Sequence, residues 1–315
     1  MDHSLLKIQF LIFTICCFLF VAPSVIAARL YLESAKEEYS LGETFIVSVR
    51  IDTEECINVV EGNLNFSNDI LEVVDFSKGE SILTLWLKEP TINQKSGLVS
   101  FMGGIPGGYC GRIAGDPGLS NLLGKLILRI PGLVVGETKE NIAEIKFLES
   151  SQVFLNDGLG TKAELKTEGI SFKILTEGAV SDNEWQEEIT KDNVPPESFE
   201  IEIHQDPNIF EGKYFIVFST TDKQTGIDHY EISEGKTAKE ENWKKGDSPY
   251  LLEDQNLLSI IKVKAADKAG NERVTEYLPQ KNPFSYWIII IVVGVILIAW
   301  YIYNLKKKIV SNTKK

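Results

Sequence analysis

Hydrophobic residues follow two patterns along this chain. Over residues 8–22 (IQFLIFTICCFLFVA) and 284–304 (FSYWIIIIVVGVILIAWYIYN) they run almost unbroken; between these blocks they come in short alternating stretches. Phe45, Val47, Val49 and Ile51 fall on one side of the segment 43–52, the period of a half-buried strand. Further strands are predicted over 58–66, 71–76, 98–102, 122–130, 142–148 and 170–175, with turn residues between them. Asn156-Asp-Gly-Leu-Gly160, between 151–155 and 161–165, predicts a hairpin, because Asp-Gly supplies the positive φ that a tight turn needs. No 11-residue segment among these strands carries a convincing helical stripe. The expectation is an all-β fold of sandwich or barrel type.

The two continuous runs differ in what flanks them. Lys7 precedes the first, Pro23 and Ser24 break it, and Val25-Ile-Ala27 places small residues where a signal peptidase reads. Residues 1–27 are therefore read as a secretory signal; the alternative is an uncleaved anchor. The second run has 21 residues and no charge, and spans roughly 30 Å as a helix, one hydrocarbon core. Tyr286 and Trp287 mark one edge, and Trp300, Tyr301 and Tyr303 the other, as aromatic belts do. Lys306, Lys307, Lys308, Lys314 and Lys315 place the tail 305–315 in the cytoplasm by the positive-inside rule. The run has no charge for an ion path and no GxxxG dimer face. It reads as a single-pass tether for an extracellular ectodomain.

Between these runs the alternation stops once. Residues 176–196 (TEGAVSDNEWQEEITKDNVPP) are acidic, lack apolar periodicity and read as a linker. They separate a block at 28–175 from one at 197–280. The second block is also β: strands are predicted over 214–220, 227–232 and 259–266, and Asp267-Lys-Ala-Gly-Asn271 predicts a tight reversal into 272–277.

The chain holds 32 Lys+Arg and 45 Asp+Glu. Setting aside Asp2, Lys7 and the five tail lysines leaves 26 basic and 44 acidic residues over 28–283, a net of −18. Such a field disfavours nucleic acid and anionic lipid as partners; its plainest role is solubility. Cys16 and Cys17 lie in the signal, so Cys56 and Cys110 remain as an even pair in an exported domain. A Cys56–Cys110 disulfide is expected; the alternative is two separate thiols. Two thiols without nearby histidines cannot fill a tetrahedral metal shell, so no metal is expected there.

The order of motifs in the first block resembles a cohesin domain, the β-sandwich module of cellulosome scaffolds and related surface proteins. The resemblance rests on 40–49 (SLGETFIVSV), 62–66 (GNLNF), 68–74 (NDILEVV), 97–104 (GLVSFMGG), 124–130 (GKLILRI) and the turn at 156–158. It implies docking to a dockerin-bearing protein through one face of the sandwich. Two features depart from the pattern: the cysteine pair, and the long glycine-rich loop Gly103–Gly118. In the second block, 225–230 (TGIDHY) and 266–272 (ADKAGNE) resemble immunoglobulin-like or fibronectin type III-like modules of bacterial surface proteins. Such modules imply a spacer.

No catalytic constellation is present. His204 and His229 are the only histidines after the signal, and no HExxH, GxSxG, Walker loop or zinc-type cysteine spacing occurs. An enzyme is therefore not expected, nor a cofactor. Tyr109 and Arg112 in the glycine-rich loop could offer a ring and a forked donor to a ligand, and Trp86 is either core or an exposed anchor. Asn156-Asp157-Gly158 lacks the spacing of an EF-hand and reads as a turn. The sequon Asn65-Phe-Ser67 falls on a predicted strand. Three readings follow: a membrane-anchored module at a prokaryotic cell surface docking a protein, a carbohydrate-binding surface module, or a structural envelope protein. A coplanar row of exposed rings would favour sugar. A flat face of hydroxyls and apolar groups would favour a protein.

Overall fold

The computed structural model of the chain describes residues 28–112, 120–131, 142–175, 182–237, 242–279 and 284–312. The predicted signal over 1–27, residues 113–118 of the glycine-rich segment, the start of the acidic linker and Lys314–Lys315 lie outside these residues.

The first block contributes β1 (Ala28–Ser34), β2 (Glu38–Ser40), β3 (Thr44–Thr53), β4 (Ile57–Phe66), β5 (Glu72–Ser77), β6 (Leu85–Asn93), β7 (Leu98–Tyr109), β8 (Leu122–Arg129), β9 (Ile142–Phe147), β10 (Gln152–Leu155), β11 (Leu165–Glu168) and β12 (Ile170–Leu175). They form a five-stranded sheet in the order β11-β1-β3-β8-β5 and a seven-stranded one in the order β2-β12-β9-β4-β7-β6, with β10 also on β4. The alternating apolar positions of both sheets meet between them: Val47, Val49 and Ile51 from one, Val60, Leu64, Val99 and Phe101 from the other. The fold is thus the expected β-sandwich. Gly62 is needed at its centre, since a Cβ there would lie 2.4 Å from the Phe101 ring.

Three expectations are corrected. Gly103–Tyr109 is not loop but the second half of β7, paired with β4 from Asn65↔Leu98 to Ile57↔Tyr109. The reversal at Asn156–Gly160 forms, but its return arm makes only an isolated bridge, Phe154↔Lys162, before β11 pairs parallel with β1 in the other sheet. The acidic linker contains a helix, α1 (Glu184–Lys191), capped by the Asn183 side chain accepting from the Gln186 N–H. Trp185 is buried, the Ile46 N–H donates to Glu184 Oε2 at 3.1 Å, and Thr44 N–H donates to Asp182 O at 3.0 Å. The helix therefore lies across the outward side of β3. Lys125 of β8, buried beneath it, sits 2.9 Å from Glu188 and 2.7 Å from Glu80. Burial alone would lower its pKa, but the two carboxylates outweigh that and hold it raised.

The second block contains β13 (Glu202–Asp206), β14 (Ile209–Val217), β15 (Ile227–Gly235), β16 (Lys244–Lys245), β17 (Tyr250–Leu251), β18 (Ile260–Asp267) and β19 (Glu272–Tyr277). A sheet β13-β14-β17 and a sheet β16-β15-β18-β19 enclose a separate small core of Ile216, Phe218, Ile232, Leu252, Ile261 and Val263. The last element is α2 (Phe284–Asn312). Within it, Ile288–Leu305 is long and apolar enough to cross a bilayer and is not buried against any of the described residues.

Candidate functional site

Strand alternation fixes what the seven-stranded sheet turns outward. In β4 the inward positions are Val60, Gly62, Leu64 and Phe66, so Val59, Glu61, Asn63 and Asn65 face away from the core. The register then lays out four cross-strand rows. One is Phe154, Val59, Gly104 and Leu85; the next is Gln152, Glu61, Met102 and Lys88. The third is Asn63, Ser100 and Thr91, and the fourth Lys146, Asn65, Leu98 and Asn93. Leu85 is 52% exposed. The Thr91 and Ser100 hydroxyls pair at 2.8 Å, and Asn65 Nδ2 donates to Gly97 O at 3.0 Å. The result is a face of amides, hydroxyls and aliphatic groups with the charged Glu61, Lys88 and Lys146 among them and one ring, Phe154. The opposite sheet differs: α1 and the second block lie against its outward side, through Ile46, Lys125, Asp75 and Ser77.

The structure does not gather Trp86, Tyr109 and Arg112 into one site. Trp86 pairs with Gly103 and turns inward, its ring centroid 6.1 Å from both Phe76 and Phe101. Tyr109 lies six residues further along β7, roughly 20 Å away, and packs on the core. Arg112 points to Asp52, its Nη2 3.4 Å from Oδ1, where Arg29 also binds the carboxylate at 2.6 Å. Cys56 and Cys110 are joined. Trp86 is thus part of the packing. Trp86→Ala is expected to lower stability by about 3 kcal/mol, the low end for a buried aromatic because the ring is only partly buried, and to leave retention on polysaccharide unchanged. Thermal unfolding and affinity electrophoresis check the two halves of that statement.

A second constellation was not legible in the sequence. Asp192, just past α1, Asp222, in the loop before β15, and Asp267, at the end of β18, bring one carboxylate oxygen each within 4.8 Å of the others. All three are buried, with 6%, 4% and 3% of their surface exposed. Hard oxygen donors so placed suit Ca2+ or Mg2+. Hydrogen bonds already hold each: Asp192 accepts from Thr225 Oγ1 at 2.6 Å, Asp222 from Gly226 N at 2.8 Å and Asp267 from Asn271 N at 2.8 Å. Burial raises the Asp222 pKa above its ordinary 3.8; the bonds from Gly226 and Gln224 oppose this, and repulsion from Asp192 and Asp267 adds to it.

An acid whose folded pKa is raised holds its proton more tightly when folded. Ionised Asp222 therefore costs stability above that pKa, and the cost vanishes as pH falls through it to 3.8. Asp222→Asn keeps the acceptor for Gly226 and removes the charge, so the variant is expected to melt higher than wild type at pH 7. The gap should close near pH 4. Wild-type melting raised by millimolar Ca2+, with no response in the variant, would mean that a cation neutralises the cluster instead.

No protein-family model matches the sequence, and no curated protein matches it. Among solved structures, the fold is similar to a chain of a type I cohesin–dockerin complex from Clostridium thermocellum. That match has 17% identity over 49% of this chain and 99% of that one, with a TM-score of 0.37. A non-cellulosomal cohesin from the archaeon Archaeoglobus fulgidus is 18% identical over 48% of this chain and 93% of its own, TM-score 0.37. The seventh ScaB type I cohesin of Pseudobacteroides cellulosolvens is 14% identical over 49% and 96%, TM-score 0.37.

Proposed function

We propose that this chain is a membrane-anchored docking protein of the cell surface. The sandwich of 28–175 binds a protein partner, of the dockerin type that the sequence resemblance implies, through the outward face of β9-β4-β7-β6. The block 197–280 serves as an immunoglobulin-like or fibronectin-like spacer, and α2 as a single-pass anchor with the ectodomain outside.

One observation carries the docking reading. The five-stranded sheet has its outward side occupied by α1 and the second block, whereas among the described residues nothing lies across the outward side of the larger sheet. The chemistry of that face selects the partner class. Sugar platforms stack rings, and here Trp86 is turned into the core. Amides, hydroxyls, the charged Glu61, Lys88 and Lys146 and exposed Leu85 suit a protein surface. The absence of charge in the helix run and its full exposure support the anchor.

The test is capture. The full chain in nanodiscs is exposed to proteins from the producing cells, and bound material is identified by mass spectrometry. One protein carrying a dockerin-type module, bound in fixed stoichiometry, is expected. Retention on polysaccharide with no protein bound would overturn the reading.

A further inference from the structure

The two β blocks meet through two separate seams. In the first, the end of β5 touches the loop before β15. Ser77 Oγ donates to Thr225 O at 2.6 Å in a buried bond, and Lys268 pairs with Asp75. Gly79 lies so close to that loop that a Cβ would meet Gln224 O at 2.2 Å and Gly226 N at 2.9 Å. In the second seam, α1 acts as a strut. Its start is bonded to β3 through Glu184 and Asp182, and its flank to Lys125 through Glu188. Just past its other end, Asp192 takes the Thr225 N–H at 3.2 Å and its hydroxyl at 2.6 Å, and the Asp192 carbonyl accepts from Asn271 at 3.3 Å.

We infer that this is a locked joint, which makes the two blocks move as one body. Thr225 belongs to both seams, so rotation about either strips buried donors and acceptors of their partners. A flexible linker would need neither seam. Gly79 supplies the sharpest evidence. Its backbone is outside the left-handed region, so it has no conformational need to be glycine. What excludes a side chain is the other block's backbone. The inference rests on the joint alone and stands whatever the sandwich binds.

Gly79→Ala tests it in the full chain, read by hydrogen exchange. The Thr225 amide, which crosses the joint to Asp192, is expected to be protected in wild type and to exchange at least ten-fold faster in the variant. Core amides such as Val99 and Val263 should hold their protection, and the single calorimetric transition should split in two. Lys268→Ala touches neither core and should accelerate Thr225 in the same direction, which covers the case in which Gly79→Ala disturbs its own block. Fast Thr225 exchange in wild type, or rates unchanged in both variants, would overturn the joint.

Discussion

Arginine in place of Ser100 is expected to weaken capture of the protein partner at least 100-fold, a loss of about 2.7 kcal/mol. Ser100 is the third residue of β7, in the cross-strand row between Asn63 of β4 and Thr91 of β6, and turns away from the core. A guanidinium there would stand proud of that face and would have to be desolvated against a surface built for a short hydroxyl. Residues near the centre of an interface carry most of its energy, so the effect is large where the same change at the margin is small. Ser171, exposed on β12, gives that margin: Ser171→Arg should bind within a few-fold of wild type. The Ser100 change leaves the core intact, because only the pair with Thr91 at 2.8 Å is disturbed and that bond is exposed. Melting within a degree or two of wild type should therefore accompany the loss. Biolayer interferometry with the captured partner measures the first quantity and calorimetry the second. Wild-type affinity in Ser100→Arg would mean that binding uses another surface.

This face was only half visible in the sequence. The alternation in β3 and β4 betrayed the strands, since period 2 is a local property. Which strands stand side by side is not local. The row Asn63, Ser100 and Thr91 exists only once the register is known. Glycines misled in the other direction. Gly103 looked like part of a loop, yet it lies in a strand and is small because a Cβ would press within 2.7 Å of the Leu83 side chain. Packing, not turning, demands it. The helix α1 hid because so short a segment shows little periodicity. Its signal was the cap: Asn183 followed three residues later by Gln186. The aspartate cluster had no such signal, because Asp192, Asp222 and Asp267 come from three separate segments. The cysteine pair was the easiest long-range contact to expect, since exported domains keep their disulfides and only two cysteines lie outside the predicted signal.

Replacing both cysteines is expected to cost as much stability as removing the Trp86 ring. Cys56 stands just before β4 and Cys110 just after β7, next to the pair Ile57↔Tyr109. The bond therefore closes the end of a ladder that already exists, over a sequence separation of 54. In the chain-entropy view, a loop of that size withholds about 4 kcal/mol from the unfolded state. Native contacts around it are independent of the sulfurs: Asn156 N–H donates to Cys56 O at 2.8 Å, and Asn156 Nδ2 to Gly107 O at 3.2 Å. The folded state thus keeps its geometry without the bond, and the cost falls on the unfolded chain. Cys56→Ser with Cys110→Ser should lose roughly 3 kcal/mol, which for a block of this size lowers the melting point by roughly 6–12 °C. Partner affinity should change little, because the Asn63, Ser100 and Thr91 row lies further along the same strands and is held by its own ladder. An affinity loss as large as that of Ser100→Arg would mean that the bond shapes the docking face itself, and would move the binding site toward the Gly107–Arg112 end of the sheet.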